Sequence, residues 1–504
     1  LKNLMDRAII SRTEKEAKEH VILQNLDTSF QKIDELPFDF ERRRMSVIVK
    51  DDEGTVSMVT KGALEEMLMI SSRVEYQGEV TPLTDAIRSE ILAEVGQLNK
   101  QGLRVLGIGY KTDIQEGYSY TVKDEKDMIL TGYLAFLDPP KPSAAPAIKA
   151  LLEHGVKTKI LTGDNEKVTQ AICEKVGLDV EEILLGADIE QMSDEQLAEA
   201  VEKVTVFAKL SPDQKARIIL QLKNNGHGVG YMGDGINDAP SMKVADVGIS
   251  VDTAVDIAKE TADVILLDKD LMVLETGIVE GRKVYANMTK YIKMTVSSNF
   301  GNIFSLLVAS IFLPFLPMAP VHLIVLNLVY DLSCVALPFD NVDQDFLKQP
   351  HTWEAKSITR FMVWMGPISS IFDILTFIFL YFIIVPLVTG HDYVHGSESA
   401  LQFIIFFQTG WFIESMWSQT MVIHMLRTAK VPFVQSRPAW LVILMTLVAA
   451  FFVTSLPYGP LVHILRLAPL GLPYFLFLIC IIFLYMFSVT VIKNFYIKKY
   501  KEWL

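Results

Sequence analysis

The chain has 504 residues, of which 50% are hydrophobic and 21% are charged, and its formal net charge is −13. This acidic balance, without a basic stripe interleaved with aromatic residues, argues against nucleic acid as a partner. The three cysteines, Cys173, Cys334 and Cys480, are too widely separated to indicate a disulfide framework or a metal cluster.

The N-terminal part, residues 1–129, carries an aromatic and basic segment. Phe38 precedes a run of three arginines, and the alternating residues after them predict two strands. A turn at Lys61 and Gly62 follows, and Arg104 comes later in the sequence Gly-Leu-Arg. An aromatic face can stack on a purine, and a glycine lets a nucleotide lie against the backbone. This order of residues indicates a nucleotide pocket.

Short apolar strands alternate with helical stretches in residues 130–286. The strands are expected at residues 132–137, 156–161, 205–209, 229–232, 247–251 and 264–267. Such an alternation is typical of a doubly wound parallel sheet, whose ligands bind at the carboxyl ends of the strands. The polar motifs of this region follow such strand ends, so we expect its site there.

The first polar motif is Thr162-Gly163-Asp164. It closes an apolar run and opens a helix whose N-terminal amides can bind phosphate. Lys215 lies on a later helix, where its ammonium can neutralise a transferring phosphoryl group. These residues are therefore candidates for a catalytic role.

The second polar motif is Gly-Asp-Gly-Ile-Asn-Asp at residues 233–238, a glycine-hinged turn after an apolar strand. Asp234 and Asp238 supply the hard oxygen ligands that Mg²⁺ prefers, and Asn237 precedes the second of them. The glycines let the backbone approach an anion closely. This motif predicts a site for Mg²⁺ and a phosphoryl group.

Residues 287–504 hold six apolar segments long enough to cross a hydrocarbon core of about 30 Å. The segments run over residues 291–315, 321–337, 361–388, 401–425, 440–456 and 473–492. Arg427, Lys430 and Arg437 lie in one turn, and further lysines follow the last segment. By the positive-inside rule, these ends and the charged part of the chain share the cytoplasmic side.

Polar groups inside the apolar segments are candidates for binding a transported ion, because charge in a membrane is costly and usually functional. They are Asn299, Asn302, Asn327, Asp331 and Glu414. Their oxygens suit a hard cation. Asp373 is instead expected to contact another helix.

In this order the motifs resemble those of the P-type cation-transporting ATPases. The resemblance implies an α/β phosphorylation domain at residues 130–286, doubly wound and haloacid-dehalogenase-like. It also implies an inserted α+β nucleotide-binding domain at residues 1–129. An all-α membrane domain of six transmembrane helices then follows at residues 287–504.

The same resemblance implies a role for each candidate residue. The catalytic set is Thr162, Gly163, Asp164, Lys215 and Asn237. The nucleotide-binding set is Phe38, which stacks on adenine, Lys61, Gly62, Arg104, which reaches the phosphates, and Asp138. Asp234 and Asp238 hold the catalytic Mg²⁺.

Three strings in the apolar half look like the bacterial magnesium-transporting branch of this family. They are residues 298–302 (Ser-Asn-Phe-Gly-Asn), 330–333 (Tyr-Asp-Leu-Ser) and 338–340 (Pro-Phe-Asp). The likeness implies ATP-driven transport of a divalent cation through an aspartyl phosphate, with ATP and Mg²⁺ as cofactors. It further implies a place in the bacterial plasma membrane, within the lipid bilayer, and no obligatory protein subunit.

The sequence departs from the family in one respect. The Asp-Lys-Thr-Gly-Thr segment of the phosphorylated aspartate is absent, and the nearest string is Asp268-Lys269-Asp270. We therefore expect the chain to correspond to the C-terminal half of a pump and not to turn over alone.

Three alternatives stay open on the sequence. A soluble haloacid-dehalogenase-like phosphatase would share the Gly-Asp-Gly turn but would need neither six spans nor the Phe38 and Lys61 pocket. An ATP-binding membrane fragment that does not cycle fits every motif. A pump for another cation, such as calcium, would share the ATP site.

Overall fold

The computed structural model describes residues 4–18, 29–39, 42–112, 114, 118–268 and 270–503. The chain divides into two compact units. The first comprises Leu1–Leu152 and Lys157–Leu274, and the second comprises Glu153–Val156 and Glu275–Leu504. Lys269, the middle residue of the string Asp268-Lys269-Asp270, lies outside the described residues.

Seven strands form one sheet in the first unit. They are β1 (Phe30–Asp39), β2 (Arg44–Asp51), β3 (Val56–Ala63), β4 (Ser71–Tyr76), β5 (Glu79–Pro82), β6 (Leu103–Lys111) and β7 (Met128–Leu137). Their order is β1-β2-β3-β6-β7-β4-β5, and neighbours are antiparallel except β4 and β7. The strand expected at residues 132–137 is β7, and it pairs with β6 in this sheet.

Helices complete the first unit. They are α1 (Leu4–Glu16), α2 (Leu64–Ile70), α3 (Asp85–Lys100), α4 (Ala144–Glu153), α5 (Glu166–Lys175), α6 (Gly186–Gln191), α7 (Asp194–Lys203), α8 (Pro212–Asn224), α9 (Ala239–Val244) and α10 (Asp256–Thr261). Helices α2 and α3 cover the seven-stranded sheet, where Met67, Val95 and Leu130 share one buried core. This packing follows from the apolar faces that the helices and the sheet must both bury.

Two further sheets, each of three parallel strands, lie in the first unit. One contains β8 (Ile160–Leu161), β9 (Ile183–Leu185) and β10 (Val206–Ala208), in the order β8-β10-β9. The other contains β11 (Gly230–Met232), β12 (Val247–Val251) and β13 (Val264–Leu266), in that order.

This arrangement differs from the single doubly wound sheet that the strand pattern predicts. The strands are parallel, as predicted, but β8 and β11 are each the end strand of a separate sheet. Within the described residues, no strand of one sheet pairs with a strand of the other. Strand β8 is also shorter than the predicted run of residues 156–161.

The second unit is helical. Its helices are α11 (Met272–Phe312), α12 (Pro320–Cys334), α13 (Gln344–Leu347), α14 (Ala355–Phe379), α15 (Val385–Thr389), α16 (Glu398–Leu426), α17 (Trp440–Ser455), α18 (Val462–Leu465) and α19 (Leu472–Tyr500). A π-helical turn, Leu380–Ile384, joins α14 to α15.

Five segments of the described residues are long and apolar enough to cross a membrane. They are Met272–Phe312, Pro320–Phe339, Ala355–Thr389, Trp440–Tyr458 and Leu472–Tyr500. The remaining predicted segment, residues 401–425, lies within α16, which is 29 residues long. Gln402, Gln408, Glu414 and Gln419 interrupt its apolar residues.

A buried polar cluster joins three parts of the second unit around Asp340. Its carboxylate accepts hydrogen bonds from Lys290 Nζ at 2.8 Å and from Arg427 Nε at 2.7 Å. All three side chains are almost completely buried. The cluster therefore ties helix α11 to the segment after α12 and to the end of α16.

Candidate functional site

One open cleft of about 1270 Å³ in the first unit is lined by eight of the twelve site residues predicted for that unit; Thr162, Asp138, Asp234 and Asp238 are outside its lining. From the predicted nucleotide set, the lining includes Phe38, Lys61, Gly62 and Arg104. From the predicted catalytic set, it includes Gly163, Asp164, Lys215 and Asn237. Residues that are up to 199 positions apart, from Phe38 to Asn237, thus face one space.

The nucleotide end of the cleft is built on the ends of β1, β2 and β3. Phe38 lies near the end of β1 and is 50% exposed, so its ring face is accessible to a ligand. Gly62 pairs in register with Arg44 of the neighbouring strand. A Cβ atom at Gly62 would lie 2.5 Å from the Cβ of Arg44 and 2.8 Å from the carbonyl oxygen of Arg43. Only glycine allows this close approach of the two chains.

The Lys61 ammonium forms an ion pair with Asp6 of helix α1, and both residues line the cleft. The pair places one cation and one carboxylate beside Gly62. A nucleotide that used Lys61 would therefore exchange this ion pair for a contact with phosphate.

Arg104 connects the two predicted sets. Its Nη2 atom donates to Asp164 Oδ2 at 2.7 Å, and its Nη1 atom lies 3.3 Å from Asp138 Oδ2. Asp138 does not line the cleft and reaches it only through this guanidinium. The Arg104 guanidinium therefore lies between the nucleotide end of the cleft and the Asp164 loop.

The loop of Thr162, Gly163 and Asp164 is held against the end of β10. The Thr162 N–H donates to the Phe207 carbonyl at 3.0 Å, and the Asp164 N–H donates to Thr162 Oγ1 at 3.1 Å. Asn165 then caps helix α5, because its side chain accepts from the Lys167 N–H at 2.9 Å. The predicted helix start is therefore confirmed.

Lys215 reaches the site because of how helix α8 begins. Ser211 and Gln214 form a capping box, and Pro212 occupies the first turn. One turn into the helix, Lys215 Nζ lies 2.9 Å from Asp238 Oδ1, and both side chains are largely buried. The ammonium thus lies beside the second polar motif.

Asp238 is held by three donors. Lys215 Nζ lies at 2.9 Å and the Tyr231 hydroxyl at 2.7 Å, while the Gly235 N–H donates from 3.2 Å. Burial alone would raise the pKa of the Asp238 carboxyl, but the Lys215 charge and these hydrogen bonds hold the pKa below its ordinary value. The carboxylate is therefore ionised at neutral pH.

Tyr231 was not singled out by the sequence, because it lies within an apolar strand. Burial and the neighbouring Asp238 carboxylate raise the pKa of Tyr231 above its ordinary value. Its hydroxyl stays a donor to Asp238 at neutral pH. No signal in a single sequence marks this tyrosine apart from its place two residues before Gly233.

Gly233 of the second motif has a role within its own loop. A Cβ atom at Gly233 would lie 2.7 Å from Asp238 Oδ2, so the group that approaches this glycine is the carboxylate of its own loop. The loop closes as a 3₁₀ turn over Ile236–Asp238. Gly233 thus lets Asp238 fold back toward Lys215.

The two carboxylates of this loop fit part of a magnesium site. Asp234 is exposed and Asp238 is ionised, so both offer hard oxygen ligands. In the part of the chain that the structure describes, no group of three His, Cys, Asp or Glu side chains could hold a metal ion. Mg²⁺ would therefore take its remaining ligands from phosphate and water, as it commonly does.

The predicted ion ligands of the second unit are distributed over two places. Asn299, Asn327 and Asp331 lie on the exposed surface of this unit. Asn302 instead accepts a hydrogen bond from Gln419 Nε2 at 3.3 Å, and both line a small cavity of about 20 Å³. The structure therefore places Asn302 at this small cavity and leaves the other three residues exposed.

Glu414 is buried on α16, and its Oε2 atom has no hydrogen-bond partner among the described residues. Asp373 of α14 lines the small cavity and joins three helices. It accepts from Ser305 Oγ at 2.6 Å and from Trp411 Nε1 at 2.9 Å. These bonds give Asp373 the helix-contacting position that the sequence predicts.

Two models of P-type ATPase domains match the chain. One, described as P-type ATPase, cytoplasmic domain N, matches residues 2–143. The other, described as Cation transporting ATPase, C-terminus, matches residues 315–495.

Full-length comparison gives relatives over the whole chain. The chain is 49% identical over 501 residues to the Magnesium-transporting ATPase, P-type 1, of Escherichia coli (strain K12). This alignment covers 99% of the present chain and 54% of the relative. A protein of the same name from Salmonella typhimurium (strain LT2) is 47% identical over 505 residues, covering 100% of this chain and 54% of the relative. The Calcium-transporting ATPase of Bacillus subtilis (strain 168) is 34% identical over 366 residues, and the alignment covers 71% of this chain and 41% of the relative.

The chain spans about half the length of the curated relatives it matches. Both domain models and these identities agree with the order of motifs and with the cleft that joins them. The chain therefore belongs to the P-type cation-transporting ATPase family.

Proposed function

We propose that this chain supplies the nucleotide-binding, phosphoryl-transfer and ion-binding parts of an ATP-driven pump for a divalent cation, magnesium. The observation that carries the proposal is the single cleft that joins Phe38 and Lys61 to Asp164 and Lys215. A nucleotide stacked on Phe38 can extend its phosphates past Arg104 to the loops at the strand ends.

Within the cleft, each residue has a role that follows from its chemistry. Phe38 offers a ring face to the adenine, and Gly62 leaves room for the base against the backbone. Arg104 and Lys215 supply positive charge along the phosphate chain. The Thr162 to Asp164 loop and the amides that begin α5 face the terminal phosphate.

Asp234 and Asp238 would hold a Mg²⁺ ion, which neutralises phosphate charge when it is bound. In the proposed reaction, an aspartate carboxylate attacks the γ-phosphorus of ATP, and the bond between that phosphorus and the ADP oxygen breaks. Water then hydrolyses the acyl phosphate. The Asp-Lys-Thr-Gly-Thr segment that carries this aspartate in the family does not occur in the 504 residues.

The magnesium assignment is supported by the printed names of the relatives that match the chain end to end. Mg²⁺ retains several waters, so a site with few protein ligands suits it. Asp331 with the exposed amides of Asn299 and Asn327 is such a set, and Asn302 at the small cavity is a separate candidate ligand. Glu414 is a further candidate ligand. A calcium site would draw on more carboxylates.

The proposed setting is the bacterial plasma membrane, with the first unit and the C-terminal end on the cytoplasmic side. Helix α16 acts as a sixth span beside the five apolar helices, because its 29 residues extend about 43 Å at 1.5 Å per residue. The pump works in this proposal without an obligatory protein subunit.

Transport is tested with a chimera in which the 504 residues replace the matching part of the Escherichia coli relative. We expect it to restore growth of a bacterium that lacks its own magnesium uptake, and Asp331→Asn to abolish that rescue. Asp392→Asn, at an exposed loop position, is the matched control and should grow normally.

Rescue by the Asp331→Asn chimera would place the ion site elsewhere. ATP-dependent calcium transport that does not depend on magnesium would favour the alternative of a calcium pump, the activity in the name of the Bacillus subtilis relative. A chimera that binds ATP but moves neither ion would support the non-cycling alternative.

A further inference from the structure

Glu125 lies at the centre of a buried polar cluster in the first unit, just after a 3₁₀ turn over Val122–Asp124. Its side chain is 0% exposed. The carboxylate accepts from Arg42 Nη1 at 2.6 Å, from Arg44 Nε at 2.8 Å and from Ser46 Oγ at 2.7 Å. One carboxylate therefore faces two guanidinium groups and a hydroxyl.

The Glu125 carboxyl is ionised at neutral pH. Burial by itself would raise the pKa of the Glu125 carboxyl, but the bonds from Arg42, Ser46 and Arg44 hold that pKa below its ordinary value. A buried carboxylate with these donors is an anchor, because removing its charge takes the ion pair at 2.8 Å from Arg44 and the one at 2.6 Å from Arg42, whose Nε otherwise lies 3.4 Å from Asp39 Oδ2.

The residue between the two anchored arginines has an unusual backbone. Arg43 has a φ of +49°, in the left-handed region that favours glycine. Its N–H donates to the Asp39 carbonyl at 2.7 Å, and its carbonyl accepts from the Ala63 N–H at 3.0 Å. Such a conformation persists where the surroundings fix it.

This backbone separates the three arginines. Arg42 and Arg44 turn to Glu125, whereas Arg43 lines the nucleotide cleft beside Phe38 and Lys61. A guanidinium at that position offers a charge and a planar face to an anionic, aromatic ligand.

We propose that Glu125 is a positioning residue for the nucleotide cleft: it holds Arg42 and Arg44 on the far side of the turn and so directs Arg43 toward bound nucleoside triphosphate. This inference rests on the proposed function, because it assumes that the cleft binds ATP. Glu125 itself lies outside the cleft lining and acts only through the turn.

The test is a double-mutant cycle on the full 504-residue chain, with ATP affinity measured by titration calorimetry. Glu125→Gln keeps the shape of the side chain and removes its charge. Arg43→Gly removes the guanidinium while keeping a residue that accepts a positive φ without strain. We expect each change to weaken ATP binding about tenfold, the size of one lost charged hydrogen bond.

The decisive result is the double variant. If Glu125 acts through Arg43, Glu125→Gln in the Arg43→Gly background causes no further loss of ATP affinity. A merely structural role would lower thermal stability and leave ATP affinity unchanged, or would lower affinity equally in both backgrounds. Either of these outcomes overturns the proposal.

Ser71→Ala is the control for general destabilisation, since Ser71 is buried in the same sheet and donates to the Met67 carbonyl at 2.7 Å, away from the arginine turn. It should lower stability and leave ATP affinity intact. If Glu125→Gln does not fold, Arg43→Gly alone decides, because normal ATP affinity in that variant contradicts the proposal. A parent chain that binds no ATP would instead refute the proposed function.

Discussion

Phe30 begins strand β1 and Phe38 lies near its other end, and the two residues have almost the same exposed fraction, 49% and 50%. Only Phe38 lines the cleft. We expect Phe38→Ala to weaken ATP binding by about 0.5–1.5 kcal/mol, or about two- to thirteenfold, because one aromatic stack is lost. Phe30→Ala is the matched control, and equal affinities in the two variants would remove the stacking role. The measurement is ATP titration of the full chain.

The pair of Asp238 and Lys215 predicts a pH dependence. The folded-state pKa of Asp238 is lowered, so its ionisation stabilises the fold above the unfolded pKa of about 3.9, and this stabilisation is lost as the pH falls through the folded pKa. At pH 7, Asp238→Asn should reduce the local free energy of opening around β11 by about 1.5–3 kcal/mol.

Hydrogen exchange of the full chain measures this opening. The difference between parent and Asp238→Asn should be constant above about pH 5 and shrink at lower pH. Asp213→Asn, at an exposed position on the same helix as Lys215, should change little. A difference that grows on acidification would contradict the ionised pair.

At the scale of elements, strands β2 and β3 lie close together at residue 62 because that residue is a glycine, which has no side chain. Gly62→Ala would place a Cβ atom against Arg43 and Arg44, forcing the turn to move. We expect a loss of about 1–3 kcal/mol in stability and weaker ATP binding, since overpacking shifts the backbone.

Gly132→Ala is the control for that change. Gly132 lies in β7 of the same sheet, and a Cβ atom there would meet nothing within 4 Å. Thermal unfolding and ATP titration of both variants give the comparison. Normal binding by Gly62→Ala would show that the turn does not shape the cleft.

The structure has two separate parallel sheets in the region where the strand pattern predicts a single doubly wound sheet. The positions of β8 and of β10 to β13, and the polar loops after them, could be predicted from the sequence, because a strand end depends on a few neighbouring residues. The continuity of the sheet could not be predicted, since it depends on hydrogen bonds between strands far apart in the chain, and the described strands pair in two separate sheets. The predicted carboxyl-end loops nevertheless face a common cleft.

At the scale of the whole molecule, the Asp340 cluster ties together separate parts of the second unit. Asp340→Asn would leave Lys290 and Arg427 buried around a neutral amide. We expect a loss of about 3–5 kcal/mol in the stability of this unit, because a buried charge loses its partner. Thermal unfolding of the chain in detergent is the measurement.

The control is Asp345→Asn in the same segment. Its carboxylate lies 2.8 Å from Lys430 Nζ but is exposed, and exposed ion pairs contribute little. We expect its unfolding temperature to match that of the parent. If the two substitutions lowered the unfolding temperature equally, the burial of Asp340 would not be the cause of the lost stability.

The sequence by itself determined the features that depend on near neighbours. The helix that opens after Thr162-Gly163-Asp164, the turn before Asp238 and five of the six predicted apolar segments follow from local patterns, and all are present in the described residues. The order of the motifs also predicted the family.

The tertiary structure alone decided which charges meet. Arg42 and Glu125 are 83 residues apart, Arg104 and Asp164 are 60 apart, and Lys215 and Asp238 are 23 apart. Such distant partners leave no periodic signal in a single sequence, because folding and not chain proximity brings them together. For the same reason, the sequence could name Arg104 and Lys215 as candidates, but it could not show that Glu125 anchors the turn that carries Arg43.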